Sequence, residues 1–314
     1  MPLTFCCDII NSVSSTESKR KKLFNRIVQT CKQESLDYDI HFTKGVGDAF
    51  AYARKIAETG IPVRFYACGG DSTLNDVAAA VYGIDTAEIT AIPMGSNNNF
   101  IRNFGKNADF GDILSLIYGK TISIDLLNLN AKCCLNNTTI GFDRRCLSIQ
   151  KKISKSKIIT GRFAYHLAIF AAISANKKEL LHFEYDDGTS ETIRVALANI
   201  ANGSYFGGGY QGAGNTADLQ DGTFDLMLIL PTSRFTFMRI MHAMRKGNIL
   251  DTELSRKYIR IRECKKLTIS KAEKIKYSLD GEPLKAEEIK VSILPASCKF
   301  VVPAEIASEF PAEK

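Results

Sequence analysis

Cys68-Gly69-Gly70-Asp71-Ser72-Thr73-Leu74-Asn75 is the stretch on which the fold turns. It follows the apolar run Ile61-Pro62-Val63-Arg64-Phe65-Tyr66-Ala67 and precedes an alanine-rich, helical stretch from Asp76 to Tyr82. A strand that feeds a Gly-Gly-Asp turn and then a helix start is an arrangement suited to phosphate. The glycines let the backbone approach a ligand closely. The helix N-terminus presents free N–H groups and the positive end of its dipole. Asp71 stands where it can hold a metal or a hydroxyl. Gly-Gly also occurs in ordinary turns, so the reading depends on what accompanies it.

Working outward, the first 125 residues alternate strand and helix signals. Strands are expected at Leu3–Asn11, Tyr38–Thr43, Val63–Ala67 and Ile89–Pro93, and helices at Ser18–Gln33, Asp48–Glu58, Leu74–Tyr82 and Phe110–Tyr118. The first helix pairs a basic, polar face with an apolar one through Leu23, Ile27 and Val28. Such alternation implies an α/β layer on a mostly parallel sheet, with ligands at the carboxyl ends of the strands. After Thr121 the pattern becomes short alternating strands: Ile122–Asn130, Lys132–Ile140, Leu180–Tyr185, Thr192–Asn199, Thr223–Leu230, Ile259–Arg262, Lys266–Ser270, Ile275–Leu279 and Ile289–Leu294. Helical regions at Asp143 to Asn176 and Phe235 to Gly247 interrupt them. That describes a β-rich domain of two packed sheets over residues 126–295, following an α/β domain over 1–125. The final segment, 296–314, is expected to return to the first domain.

Composition bounds the possibilities. The 314 residues are 45% hydrophobic and 24% charged, enough for a substantial core. The start lacks the basic region and cleavage site of a signal peptide, and the longest apolar stretch, Phe163 to Ala175, is too short to span a bilayer. Nine scattered cysteines with no C-x-x-C pair suit a reducing cytoplasm. The four histidines form no metal pattern. A net charge of +7 fits attraction to nucleotide or anionic lipid. No zinc finger, RNP-type aromatic motif or helix-turn-helix pattern supports a nucleic-acid partner.

The turn has company in a fixed order. A second strand-to-turn segment, Ile89 to Pro93, leads into Met94-Gly95-Ser96-Asn97-Asn98-Asn99-Phe100-Ile101-Arg102. Further on stand Asn202-Gly203-Ser204-Tyr205-Phe206-Gly207-Gly208-Gly209, then Asp218-Leu219-Gln220-Asp221-Gly222-Thr223-Phe224-Asp225, and late in the chain Asp280-Gly281-Glu282. Smaller elements are Ile9-Ile10-Asn11, Thr43 before Gly47-Asp48-Ala49, and Ile140-Gly141-Phe142-Asp143. This ordered set resembles the diacylglycerol kinase and sphingosine kinase superfamily of lipid kinases. The resemblance covers nearly the whole chain. It implies a nucleotide-binding α/β domain followed by a β-sandwich domain, with the active site in a cleft between the two.

The resemblance also implies roles. ATP would be the phosphate donor and Mg²⁺ the metal. Gly69, Gly70, Ser72 and Thr73, with Gly95, Ser96, Asn98 and Asn99 beside them, would cradle the phosphates. Asn11 and Thr43 would line the nucleotide pocket. Asp71 would engage the catalytic Mg²⁺ or the phosphates, and Glu282 would be the general base for a lipid hydroxyl. Asp218, Asp221 and Thr223 match a structural Mg²⁺ site in bacterial members. On the residues alone, Asp280-Gly281 also reads as a hairpin turn, and Asp221-Gly222 as a turn between strands.

Departures from the family pattern fall in the nucleotide half. The third glycine of the turn is Ser72; if that position needs positive φ, serine strains it. The Asn-Asp pair of the second block reads Asn98-Asn99, which removes a carboxylate. Ser96 replaces a threonine, and Asn11-Ser12 with Ser15 replaces an Asn-Pro…Gly turn. A weakened or inactive member that binds lipid or nucleotide therefore stays open, as does a small-molecule kinase like the NAD kinases, which share the turn. A lipid substrate implies peripheral membrane contact. The lysines Lys151, Lys152, Lys155 and Lys157 beside apolar residues from Phe163 to Ile173 suggest a membrane-facing helix, with core packing as the other reading. A homodimer is compatible with the sequence.

Overall fold

The computed structural model describes residues 5–12, 15–95, 97–141, 178–212, 218–248 and 252–310. The chain divides into two units, Met1–Asp125 with Ala296–Lys314, and Leu126–Pro295.

The first unit is a parallel sheet with helices threaded between its strands. Strand β1 is Phe5–Ile10, α1 Glu17–Gln33, β2 Tyr38–Phe42, α2 Asp48–Ala57, β3 Val63–Gly69, α3 Asp71–Val81 and β4 Ala87–Pro93. Parallel pairing runs β2-β1-β3-β4. Lys299 and Phe300 of the last strand add a short parallel pairing alongside β4, opposite Glu88 and Ile89. The order reverses between β1 and β3: the chain leaves β1 toward β2 on one side and leaves β3 toward β4 on the other. In open α/β sheets this is where ligands bind, beyond the carboxyl ends of the strands. Asn11 and the Gly69-Gly70 turn both fall at that point.

The helices form because one stripe of each is apolar. Helix α1 buries Leu23, Ile27 and Cys31, three residues at helical spacing, while Val28 is only half-buried. Helix α2 buries Ala49, Ala53 and Ala57, small residues that let it lie close to α3. Helix α3 begins earlier than its alanine-rich part suggests. Gly70 is its N-cap and Asp71 its first residue. Ser72 is thus in the first helical turn, outside the set of residues with positive φ. The strain expected for serine at that position is absent, because a helical backbone suits serine. A short helix, α4 (Ile113–Ile117), follows the block after β4. Phe100, Phe104, Phe110 and Phe300 pack on one another behind that block, with Phe104 stacked on Phe300 at 5.1 Å.

The second unit is a β-sandwich. Its strands are the end of β5 (Lys120–Leu129), β6 (Lys132–Cys134), β7 (Asn137–Gly141), β8 (Glu179–Tyr185), β9 (Ser190–Val195), β10 (Leu197–Ala201), β11 (Tyr205–Phe206), β12 (Tyr210–Gln211), β13 (Phe224–Ile229), β14 (Ile259–Cys264), β15 (Lys266–Leu279) and the larger part of β16 (Glu282–Val302), up to Pro295. Antiparallel neighbours run β14-β13-β10-β7 and then the second half of β15. The first half of β15 pairs instead with β8, which pairs with β9. The register of β15 shifts between Ser270 and Ile275, and that irregularity carries one strand from one sheet into the other. Alternate residues, Leu181 and Phe183 of β8 and Ala198, Ile200, Leu226 and Leu228 of β10 and β13, fill the core between the layers. On the opposite face Leu197, Met227 and Ile229 are covered by helix α5 (Arg234–Lys246) through Phe237, Ile240, Met241 and Met244.

Several expected strands differ in detail. Lys132–Ile140 breaks at Leu135 and Asn136, whose amides are drawn to a side chain. Thr192–Asn199 is two strands with different partners, divided at Ala196. Lys266–Ser270 and Ile275–Leu279 are one bulged strand, and Ile289–Leu294 is part of a 21-residue one. A short helix, α6 (Glu253–Tyr258), was not expected. The expected helix at 143–176, with its lysines, lies outside the described residues.

Candidate active site

At the carboxyl edge of the first unit, side chains from three strand ends meet. Asn11 Nδ2 donates to Thr73 Oγ1 at 2.8 Å, across the point where the strand order reverses. Ser12 Oγ donates to the Thr43 carbonyl at 2.6 Å, and the Ser12 amide donates to Thr43 Oγ1. Asp48 closes the following loop by accepting from the Lys44 amide and pairing with His41 Nε2, each at 2.8 Å. Asn11, Thr43 and Thr73 thus form one hydrogen-bonded rim, and Thr73 is almost fully buried in it.

The glycines are required by proximity. A Cβ on Gly69 would fall 2.4 Å from Thr73 Oγ1, and one on Gly95 would fall 2.7 Å from the Cα of Gly70. Neither Gly69 nor Gly70 has positive φ. The Gly70 and Gly95 turns therefore touch backbone to backbone, clipped by the Gly69 carbonyl, which accepts from the amides of Met94 and Gly95 at 2.8 and 3.1 Å.

Asp71 fastens the same contact. Its Oδ2 accepts from the Asn99 amide at 2.9 Å and from Asn99 Nδ2 at 3.1 Å; its Oδ1 accepts from the Phe100 amide at 3.0 Å. A carboxylate has about four acceptor positions, so roughly one remains. Burial raises its pKa above the ordinary value, against the pull of the Asn99 and Phe100 N–H groups and of the Arg102 guanidinium. Asn99 matters here: aspartate at 99 would put two carboxylates together, whereas asparagine supplies a donor. Asn98, at φ 46°, donates to the Gly95 carbonyl at 3.0 Å, while its buried Oδ1 has no partner among the described residues. Ser96 lies outside the described residues.

The amides of Asp71 and Ser72, in the first turn of α3, have no hydrogen-bond acceptor among the described residues. They are the unsatisfied donors that every helix start exposes. Here they open beside the glycine crossing, where an anion is favoured.

In the second unit, Asp280 and Gly281 form a two-residue hairpin between β15 and β16, with φ of 41° and 87° and Leu279 opposite Glu282. Both residues are left-handed, as a type I′ turn demands. The hairpin reading holds, and the turn puts Glu282 at the first position of β16. That residue is exposed, and among the described residues no hydrogen bond or ion pair holds its carboxylate. Asp280 is the residue that sequence reasoning left without a role. Its buried carboxylate accepts from the amides of Leu135, Asn136 and Asn137, at 2.9, 3.3 and 2.9 Å. No local signal announces this, since the donors lie more than 140 positions away.

Asp221 Oδ1 accepts from the amide and the hydroxyl of Thr223, at 2.8 and 2.9 Å, and Asp218 Oδ1 accepts from the Gln220 amide at 3.0 Å. These bonds close the turn by themselves. Among the described residues no group of three or more His, Cys, Asp or Glu side chains gathers around a metal position.

Comparison with known proteins agrees with this fold. The family model described as diacylglycerol kinase catalytic domain matches residues 7–129, and the one described as YegS C-terminal NAD kinase beta sandwich-like domain matches residues 138–302. A phosphotransferase of the kinase class is what fold and family together define. The chain belongs to the family of diacylglycerol kinases and YegS-like lipid kinases. It is 26% identical to a diacylglycerol kinase of Bacillus subtilis (strain 168) over 281 residues, 87% of this chain and 88% of that one. It is 30% identical to a probable lipid kinase YegS-like of Pseudomonas aeruginosa (strain UCBPP-PA14) over 256 residues, 80% of this chain and 82% of the other. The fold is shared with the crystal structure of a diacylglycerol kinase from Bacillus anthracis str. Sterne, with TM-score 0.69 at 17% identity over 98% of this chain and 99% of that one. It is shared more loosely with yeast NADH kinase, with TM-score 0.50 at 11% identity over 96% and 84%.

Replacing Asn99 with Asp removes a donor to Asp71 and sets a like charge beside it. The Asn99→Asp variant is expected to lose about 2 kcal/mol at pH 8. The carboxylate pair has a folded-state pKa above its unfolded value, so protonation below that value relieves the repulsion. The deficit in urea-unfolding stability should therefore shrink at pH 5. A variant as stable as the parent at pH 8 would show that the Asn99 contact holds nothing.

Proposed function

We propose that the protein is an ATP-dependent lipid kinase that moves the γ-phosphoryl group of ATP to a lipid hydroxyl such as that of diacylglycerol. The observation that carries this reading is the pair of open amides, Asp71 and Ser72, at the glycine crossing. They would donate to phosphate oxygens, with Gly70 and Gly95 permitting the approach and Asn11 and Thr43 lining the nucleotide side. Family membership supports phosphoryl transfer to a lipid.

In the reaction the bond between the γ-phosphorus and its bridging oxygen breaks, and a bond to the lipid oxygen forms. Glu282 accepts the hydroxyl proton; its unheld carboxylate suits that task. The residues fit a Mg²⁺ held chiefly by phosphate oxygens, to which Asp71 offers one remaining acceptor position. Bound Mg²⁺ would neutralise charge on the phosphates. The substrate places the protein at a membrane surface as a peripheral, cytoplasmic enzyme. Among the described residues no helix is long and apolar enough to cross a membrane.

A second reading has a specific observation in its favour. Asn99 stands in place of a family carboxylate and occupies Asp71 Oδ2 with two bonds. A protein that binds nucleotide without transferring phosphate would have this site. NAD, as an acceptor, belongs in the same assay because of the fold shared with NADH kinase.

Transfer from ATP to a panel of lipids in mixed micelles with Mg²⁺ separates these readings. The parent is expected to phosphorylate one lipid. Glu282→Gln should lower the rate roughly 100-fold or more while keeping ATP affinity, and Asp71→Asn should also abolish turnover. ATP binding without transfer to any acceptor would favour the second reading.

The Asp218–Thr223 turn is proposed as a separate Mg²⁺ site, using the second oxygen of Asp221 and main-chain carbonyls near Asp218 and Thr223. Mg²⁺ should raise the thermal midpoint of the parent above that in EDTA and leave Asp221→Ala unmoved. Equal shifts in both would remove the metal from this turn.

A further inference from the structure

Helix α5 has two faces of different character. Phe237, Ile240, Met241 and Met244 are buried against the sandwich. Phe235, Arg239, His242 and Lys246 follow one another at spacings of four, three and four, which places them on one outward stripe. Arg234, Met238 and Arg245 flank that stripe and are also exposed. Phe235 is 81% exposed and Met238 45%. The helix carries no acidic residue.

Beside this face, α5 and α6 enclose an open groove of about 710 Å³. Phe235, Met238, Leu254 and Tyr258 give it apolar walls; Arg239 and Lys257 stand in its lining. Lys257 Nζ lies 5.5 Å from the Tyr258 ring. Arg256 and Lys257 are exposed on α6, against one acid, Glu253. The patch thus combines six basic side chains with an apolar tip.

We propose that this α5–α6 face docks the protein on an anionic phospholipid bilayer. The argument rests on charge complementarity and on depth. Long basic side chains lay their aliphatic stems along apolar surface while their heads reach phosphate. Phe235 and Met238, at the N-terminal end of the stripe, enter between headgroups and give the helix the shape of an interfacial anchor. Anionic lipid holds the basic side chains through a field that falls off within a Debye length, so the contact is salt-sensitive. The inference deepens the lipid kinase reading and rests on it for its purpose; the surface itself belongs to the second unit and is independent of the nucleotide rim.

The test is co-sedimentation of the full chain with vesicles. One set contains equal parts of phosphatidylglycerol and phosphatidylcholine, the other phosphatidylcholine alone. The parent should bind the anionic vesicles and release in high salt. Phe235→Ser with Met238→Ser, and separately Arg239→Glu with Lys246→Glu, should each weaken binding at least tenfold, with unchanged circular dichroism and melting. Phosphorylation of a short-chain, monomerically dispersed lipid should be unaffected by either pair. Variants that bind as the parent does, or a parent that ignores anionic vesicles, overturn the docking. So does a patch whose mutation converts a dimer to a monomer with vesicle binding intact, since a second copy then occupies it. Vesicle binding through this face without phosphorylation of any lipid supports the docking and overturns the kinase reading alone.

Discussion

The contact between the Gly70 and Gly95 turns is the constraint on which the candidate site depends. Two backbone segments that follow different strands meet with no room for a Cβ on Gly95. The Gly69 carbonyl and the Asp71 carboxylate hold them together with five hydrogen bonds from residues of the second segment. This leaves the first amides of α3 open and fixes them at the reversal of strand order. A phosphate site made of backbone amides gains its specificity from such fixing, because amides have no side-chain freedom to lose. Phe100, whose amide serves Asp71, has its ring buried against Phe104 and Phe300, so core packing holds the clasp from behind.

The sandwich unit uses a carboxylate in the same way. Asp280 gathers three consecutive amides and so decides where β6 ends and β7 begins. The cost of burying its charge is offset by those donors. Glu282, two residues on, is exposed, with no partner among the described residues. In each unit one aspartate organises backbone: Asp71 the Asn99 and Phe100 amides, Asp280 those of Leu135 to Asn137. Burial raises the pKa of Asp71 even though its three hydrogen bonds pull the other way.

The alternation of strands and helices in the first 125 residues and the carboxyl-edge positions of Asn11, Thr43, Gly70 and Gly95 were legible in the sequence. They follow from local pattern and from the rules of parallel sheets. The purpose of the glycines was only partly legible. Sequence suggests close approach to a ligand, whereas the neighbours that require glycine belong to the protein itself: Thr73 for Gly69, and the other turn, 25 positions away, for Gly70 and Gly95. Ser72 looked strained because its helical context was set one turn too late. The roles of Asn99 and Asp280 were hidden for the same reason: their partners are distant in the chain. The break at Leu135 and the bulge in β15 likewise reflect tertiary bonding that overrides strand propensity.

The central claim is that the glycine crossing builds the nucleotide site. Titration calorimetry of Mg·ATP binding to Gly95→Ala, beside the parent, tests it most directly. A methyl at Gly95 would press into Gly70 and displace the α3 amides. ATP affinity should fall at least roughly tenfold, the equivalent of about 1.4 kcal/mol, while circular dichroism shows the fold retained. A folded Gly95→Ala protein that binds ATP as tightly as the parent would contradict the account.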